Sequence, residues 1–223
     1  MTPPLLVLYG GTFDPVHNGH LAIARHARDA LHAEVHLMPA ADPPHKGPTH
    51  ADAEQRAAML ALAIGDAPGL QVDRRELQRE GPSYTIDTLR ELRADIGDKA
   101  PVALLVGADS FIGLPGWKSW RELFEQAHLV VAARPGNGIR AQLPAELAAV
   151  AENRWIEDPV QLHAGPAGCI LRLQQPLHPE SASDIRRRIR DGEPWQEQVA
   201  PAVAAYIVRN GLYAGLAVTS GPL

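Results

Sequence analysis

Six short apolar runs recur along this chain, and helical patterning fills the gaps between them. The runs lie near Leu5–Tyr9, Glu34–Met38, Leu70–Asp73, Val102–Val106, Leu129–Ala132 and Ile170–Leu173. A parallel sheet built from such runs needs cover on both of its faces. Strands alternating with helices satisfy that demand as an α/β fold, a doubly wound, mostly parallel sheet with helices on both sides. The intervening segments supply the helices. Asp52 can cap one, with Gln55 three residues later completing a capping box, and Ala57, Leu60 and Ile64 then share a face. Ser83 is read as the cap of another, whose Ile86, Leu89, Leu92 and Ile96 recur at helical spacing. A last helix carries Val199, Val203, Tyr206 and Ile207, and Gly211 supplies its stop. The loops Ala40–Thr49 and Arg134–Gly138 follow strands, at the carboxyl edge where open α/β sheets place ligands.

The chain has 223 residues, enough for one domain, expected over 1–213 with a small helical part from about 181 and a frayed tail at 214–223. Its 26 acidic and 21 basic residues leave a net charge of -5, which argues against an extended nucleic-acid interface. A local anion site remains compatible with that balance. The single cysteine, Cys169, sits in an apolar run and reads as a small buried hydrophobe. No signal segment and no membrane-length apolar stretch is evident, so a soluble, cytoplasmic protein without a membrane partner is expected.

The chemistry concentrates in Gly10-Gly11-Thr12-Phe13-Asp14-Pro15-Val16-His17-Asn18-Gly19-His20, between the first strand and the first helix. A glycine-containing strand-to-helix turn offers bare backbone N–H groups and a positive helix end to a phosphate. Gly10 and Gly11 allow close approach, and Gly19 clears the helix entrance. His17 and His20 lie on one side of the helix and can donate to phosphate oxygens, more strongly if protonated. A zinc pair is the competing reading, but no HExxH pattern or cysteine cluster supplies further ligands. A second constellation is Ser181-Ala182-Ser183-Asp184-Ile185-Arg186, where a serine can cap a helix and Arg186 is expected in its first turn. An anion there would offset the clash between the arginine and the helix dipole.

The eleven-residue run resembles the signature of the nucleotidylyltransferase superfamily, with Phe13, Pro15 and the HxGH tetrapeptide His17–His20. Its full form is most similar to that of bacterial nicotinate-mononucleotide adenylyltransferases. The resemblance extends from about Leu5 to Tyr213 and implies a Rossmann-like fold. It implies that the Ser181–Arg186 segment is a second phosphate motif, thinned here by Ala182 and Asp184, and that Lys46, in Pro44-His45-Lys46, lies over the phosphates. It places Gly10, Gly11, Thr12, Phe13, Gly19, Gly107, Asp109, Arg134, Ser181 and Ser183 on the ATP side. It also implies that Ser83, Tyr84 and Thr85 receive a pyridine carboxylate at a helix start while Trp117 stacks on the ring.

The implied reaction is adenylyl transfer from ATP to nicotinate mononucleotide, with Mg²⁺ on the triphosphate and no protein metal ligand. His17, His20, Lys46 and Arg186 are the expected catalytic donors. A phosphate monoester is largely the dianion at neutral pH and needs no general base, which fits motifs rich in donors and cations. Alternatives are an adenylyltransferase for nicotinamide mononucleotide or phosphopantetheine, a non-catalytic nucleotide-binding module, and a zinc hydrolase. A homo-oligomer is compatible with the sequence.

Overall fold

The computed structural model describes residues 4–41, 49–79, 81–133, 138–174 and 178–215. Its elements alternate as expected: β1 (Leu6–Gly11), α1 (Asn18–Leu31), β2 (Glu34–Pro39), α2 (Ala53–Ile64), β3 (Leu70–Val72), α3 (Thr85–Ile96), β4 (Val102–Gly107), α4 (Ala108–Ile112), α5 (Leu123–Gln126), β5 (His128–Ala133), α6 (Ala145–Ala151), β6 (Trp155–Ile156), β7 (Ile170–Gln174), α7 (Ala182–Asp191) and α8 (Pro201–Arg209). Seven strands pair in the order β3-β2-β1-β4-β5-β7-β6, parallel throughout. The extra strand, β6, has two residues, too few to show a period.

The alternation of side chains divides the core into two layers. Val7, Leu37, Leu105 and Val130 face α1, α2, α7 and α8, meeting Leu21, Ala24, Leu60, Ile185 and Val203. Leu8, Leu104, Val106 and Leu129 face the other way, onto Ile86 and Leu89 of α3, Phe111 of α4 and Phe124 of α5. Both faces are therefore sealed, and ligand access falls to the strand ends. The order reverses between β1 and β4, because the chain leaves β1 toward β2 and later returns to β1's other side. Crevices open at the carboxyl ends of strands at such a switch point. Here that places Gly10, Gly11 and Gly107 at the mouth.

Several local expectations shift. Asp52 caps α2, accepting from the Gln55 amide at 2.8 Å, while the Gln55 side chain accepts from the Asp52 amide at 3.0 Å. Ser83 does not cap α3. The helix begins two residues later, with Tyr84 at the N-cap and no side-chain cap. Arg186 is not in the first turn of α7, since Ser181 is the N-cap and Arg186 falls in the second turn. Cys169 is half-buried at the edge of the core, and burial raises its thiol pKa, which keeps the thiol protonated. Residues 216–223 lie outside the described residues, so the expected tail is not described there.

Candidate active site

Two cavities meet at the end of β1 and share Gly10, Gly11, Thr12 and Ser110. The larger, about 700 Å³, is lined by His17, His20, Phe13, Asp14, His50, Gly107, Glu180, Ser181, Ala182, Ser183 and Arg186 among others. The smaller, about 240 Å³, is lined by Glu76, Ser83, Tyr84, Thr85, Trp117 and Lys118 with apolar residues of β2 and β4.

The larger cavity is built around the two histidines. Their rings stack, with centroids 3.7 Å apart. The His17 amide donates to His20 Nδ1 at 3.3 Å. A neutral His20 must then carry its hydrogen on Nε2, as a donor at the site. Phe13 is buried beneath, its ring edge-on to His20 at 4.9 Å and to Tyr9 at 5.6 Å. Its contribution is to fix His20 from below. Phe13 has φ +51, an uncommon conformation for a bulky residue, and its ring crosses Gly11, where a Cβ would come within 2.8 Å. Gly19 also sits in tight surroundings, since a Cβ there would lie 3.1 Å from His17 Nδ1 and 3.2 Å from His178 Cβ and would press on both.

Protonation of His17 is not the source of positive potential. Burial holds its pKa down to about 4, against the opposing influence of Glu180, so the ring is neutral at pH 7. Of the two protonation states the sequence left open for His17, burial favours the neutral one. Positive potential comes instead from helix ends and from Arg186. The amino end of α1 opens here, as does that of α7, where the Ser181 hydroxyl is bonded to Ser183 Oγ at 2.8 Å and leaves the first-turn amides uncapped. Arg186 is held by the Asp14 carbonyl and lies 4.0 Å from the Asp14 carboxylate.

A buried frame beneath the signature turn escaped sequence reading. The Asp14 carboxylate accepts from the amides of His50 at 2.9 Å and Ala51 at 3.1 Å and from the Tyr213 hydroxyl at 2.8 Å. Arg56 is fully buried in α2 and donates to the carbonyls of Thr12 at 2.8 Å, Ala41 at 3.2 Å and Ala51 at 3.3 Å. The turn is thereby tied to the chain after β2, to the start of α2 and to the segment after α8.

In the smaller cavity Trp117 is half-buried at the rim beside the start of α3. Lys118, which sequence reading passed over, lies 4.5 Å from the Tyr84 ring centroid and pairs with Asp87 at 2.8 Å. Glu76 is buried, accepts from Thr88 Oγ1 at 2.8 Å, and burial raises its carboxyl pKa. Asp109 is exposed on α4 and lines neither cavity, whereas its neighbour Ser110 lines both. Lys46 and Arg134 lie outside the described residues.

The family is decided by comparison with known proteins. A family model described as cytidylyltransferase-like matches residues 8–188. A protein of Stenotrophomonas maltophilia, named "Probable nicotinate-nucleotide adenylyltransferase", is 54% identical over 214 residues, covering 94% of this chain and 96% of its own. This chain belongs to the nicotinate-nucleotide adenylyltransferase family. A Halorhodospira halophila protein of the same name is 45% identical, with 92% of this chain and 94% of that protein covered. The fold of the family extends to distant chains. Plasmodium falciparum nicotinic acid mononucleotide adenylyltransferase, solved with NaAD, shares 14% identity at a TM-score of 0.70, covering 94% of this chain and 97% of that one.

Proposed function

We propose that the two adjoining cavities bring ATP and nicotinate mononucleotide to one phosphorus, and that the chain transfers the adenylyl group between them in NAD biosynthesis. The observation that carries this reading is the shared wall at Gly10–Thr12, where a donor-rich cavity meets a smaller one with an aromatic rim. The triphosphate occupies the larger cavity, against the ends of α1 and α7, His17, His20, Ser181, Ser183 and Arg186. The pyridine ring lies against Trp117, and its carboxylate meets the uncapped start of α3 at Tyr84 and Thr85. Lys118 adds a cation on that side. An acid acceptor suits N–H donors and a cation, whereas a neutral amide also needs an acceptor, and the acceptor carboxyl of this cavity, Glu76, is already engaged by Thr88 Oγ1.

The mononucleotide phosphate oxygen forms a bond to the α-phosphorus as the bond to the pyrophosphate oxygen breaks. The attacking oxygen is already ionised, so no residue need remove a proton. Catalysis comes from alignment and from donors aimed at charge that grows on the transferring and leaving oxygens. His20, with its Nε2 hydrogen, serves as the donor to charge growing on the transferring phosphoryl group. His17 assists as a neutral ring, and Arg186 offsets charge on the leaving group.

Mg²⁺ suits this donor set as an ion carried in on ATP. Among the described residues no three histidine, cysteine, aspartate or glutamate side chains form a metal cluster. One carboxylate in the larger cavity, Glu180, has a buried oxygen without a hydrogen-bond partner, and it would face the ion. When bound, the ion supplies neutralisation of triphosphate charge. The neutral ring of His17, the bonded hydroxyls of Ser181 and Ser183 and the single guanidinium of Arg186 leave that much charge for it to offset.

Pyrophosphate release from ATP, measured with nicotinate mononucleotide, nicotinamide mononucleotide and phosphopantetheine as acceptors, tests the reading. The highest kcat/KM is expected for nicotinate mononucleotide. A preference for either other acceptor would overturn it.

A further inference from the structure

A carboxylate is out of place in a cavity that is to receive a triphosphate. Glu180 lines the larger cavity immediately before the N-cap of α7. Its Oε2 is buried and has no hydrogen-bond partner. The other carboxylate of this wall, Asp14, is fully engaged by two amides and the Tyr213 hydroxyl. Among the described residues no lysine or arginine pairs with Glu180, and the one ion-pair contact is a distant one to His178 Nδ1, at 3.9 Å. The nearby His17 Nδ1 is likewise buried without a partner. A carboxylate oxygen shut from water without a partner is unfavourably placed, and a cation would relieve it.

We propose that Glu180 makes the larger cavity selective for the metal-loaded form of the nucleotide, facing the divalent cation carried by the triphosphate and repelling ATP without it. The inference rests on the triphosphate reading of this cavity. Free ATP would set its phosphate oxygens beside an unneutralised carboxylate. The divalent ion reverses the sign of that contact. Mg²⁺ is characteristically held by one or two carboxylates together with substrate phosphates and water, and one carboxylate is what the wall provides. Glu180 contacts the ion directly or through one of its waters. It takes no part in bond making.

The test is ATP binding by calorimetry without an acceptor, so that no turnover occurs, with Mg²⁺ and again with the metal chelated. The quantity read is the ratio of the two dissociation constants in the wild type, Glu180→Gln and Glu180→Asp. Melting curves confirm that each variant is folded. In Glu180→Gln, free ATP is expected to bind more tightly and Mg²⁺–ATP more weakly. The ratio should shrink by about tenfold, equivalent to about 1.4 kcal/mol. Glu180→Asp, which keeps the charge, is expected to retain most of the ratio. An unchanged ratio in Glu180→Gln overturns the role of Glu180 and leaves the triphosphate reading standing. Wild-type protein that binds ATP in neither form overturns the triphosphate reading, and the role of Glu180 with it.

Discussion

Replacing Arg56 by methionine should unseat the phosphate turn from below. The side chain is fully buried, and its fork reaches three carbonyls on three separate stretches: Thr12, Ala41 and Ala51. Burial lowers its pKa, opposed by Asp14, yet a guanidinium stays charged under any working condition. Methionine fills part of the stem's volume but donates nothing. Three acceptors then lose their donor at once, and Asp14 loses the attraction of a nearby buried cation. Removing one member of a buried charged network costs about 3–5 kcal/mol. For a chain of 223 residues, each kcal/mol moves the melting temperature by about 2–4 °C, so a fall of about 6–20 °C is expected. Differential scanning calorimetry reads this directly. Arg56→Lys should recover only part of the loss, because a point charge cannot span three carbonyls. An Arg56→Met protein melting within about 2 °C of the wild type would refute the reasoning, since that is below the shift for one kcal/mol.

His20→Ala should lower kcat by about 10²–10³-fold, the usual cost of one transition-state donor, while the KM for nicotinate mononucleotide stays nearly constant; steady-state kinetics with a raised KM and unchanged kcat would contradict its role. Trp117→Ala should raise the KM for the mononucleotide by about 5- to 150-fold, as expected for losing about 1–3 kcal/mol of stacking, with the KM for ATP little changed. His17 contributes a pH dependence of stability whose sign follows from its pKa, about 4 when folded against 6.5 in its ordinary state. The unfolded chain therefore takes up the proton first, so stability is complete above about 6.5 and is lost as pH falls toward about 4, by about 3 kcal/mol at most. Urea unfolding of the wild type and His17→Asn across that range should show a steeper loss in the wild type; parallel curves would dismiss the buried neutral ring.

The sheet was legible because the central strands β1, β4 and β5 are nearly continuous apolar runs and β2, β3 and β7 carry apolar residues between polar ones, while the two-residue β6 was too short to leave a pattern. Capping told a mixed story. Asp52 and Gln55 satisfy each other in the structure as their spacing implies. Ser83 looked like an equally good cap, but α3 starts later, at Thr85, leaving the amides a carboxylate would need uncapped. The signature turn announced itself through Gly11, Gly19 and the two histidines, whose sterics the structure makes explicit. Its support did not. Arg56 on an otherwise apolar helix face reads as surface charge, and nothing local reveals that three distant carbonyls converge on it. His50 was silent because tertiary placement alone brings it to a cavity, whereas Ser110, Lys118 and Glu180 adjoin Asp109, Trp117 and Ser181 in sequence but carry no motif of their own. Arg186 was found by its motif but misplaced by part of a turn, since the position of its helix cap decides where it points.

The most direct measurement is a crystal structure of the protein with nicotinate adenine dinucleotide bound. The pyridine ring should lie against Trp117 with its carboxylate at Tyr84 and Thr85, and the diphosphate should cross the shared wall at Gly10–Thr12 within reach of His20. A dinucleotide confined to one cavity, or bound with its adenine against Trp117, would contradict the meeting of two substrates at that wall.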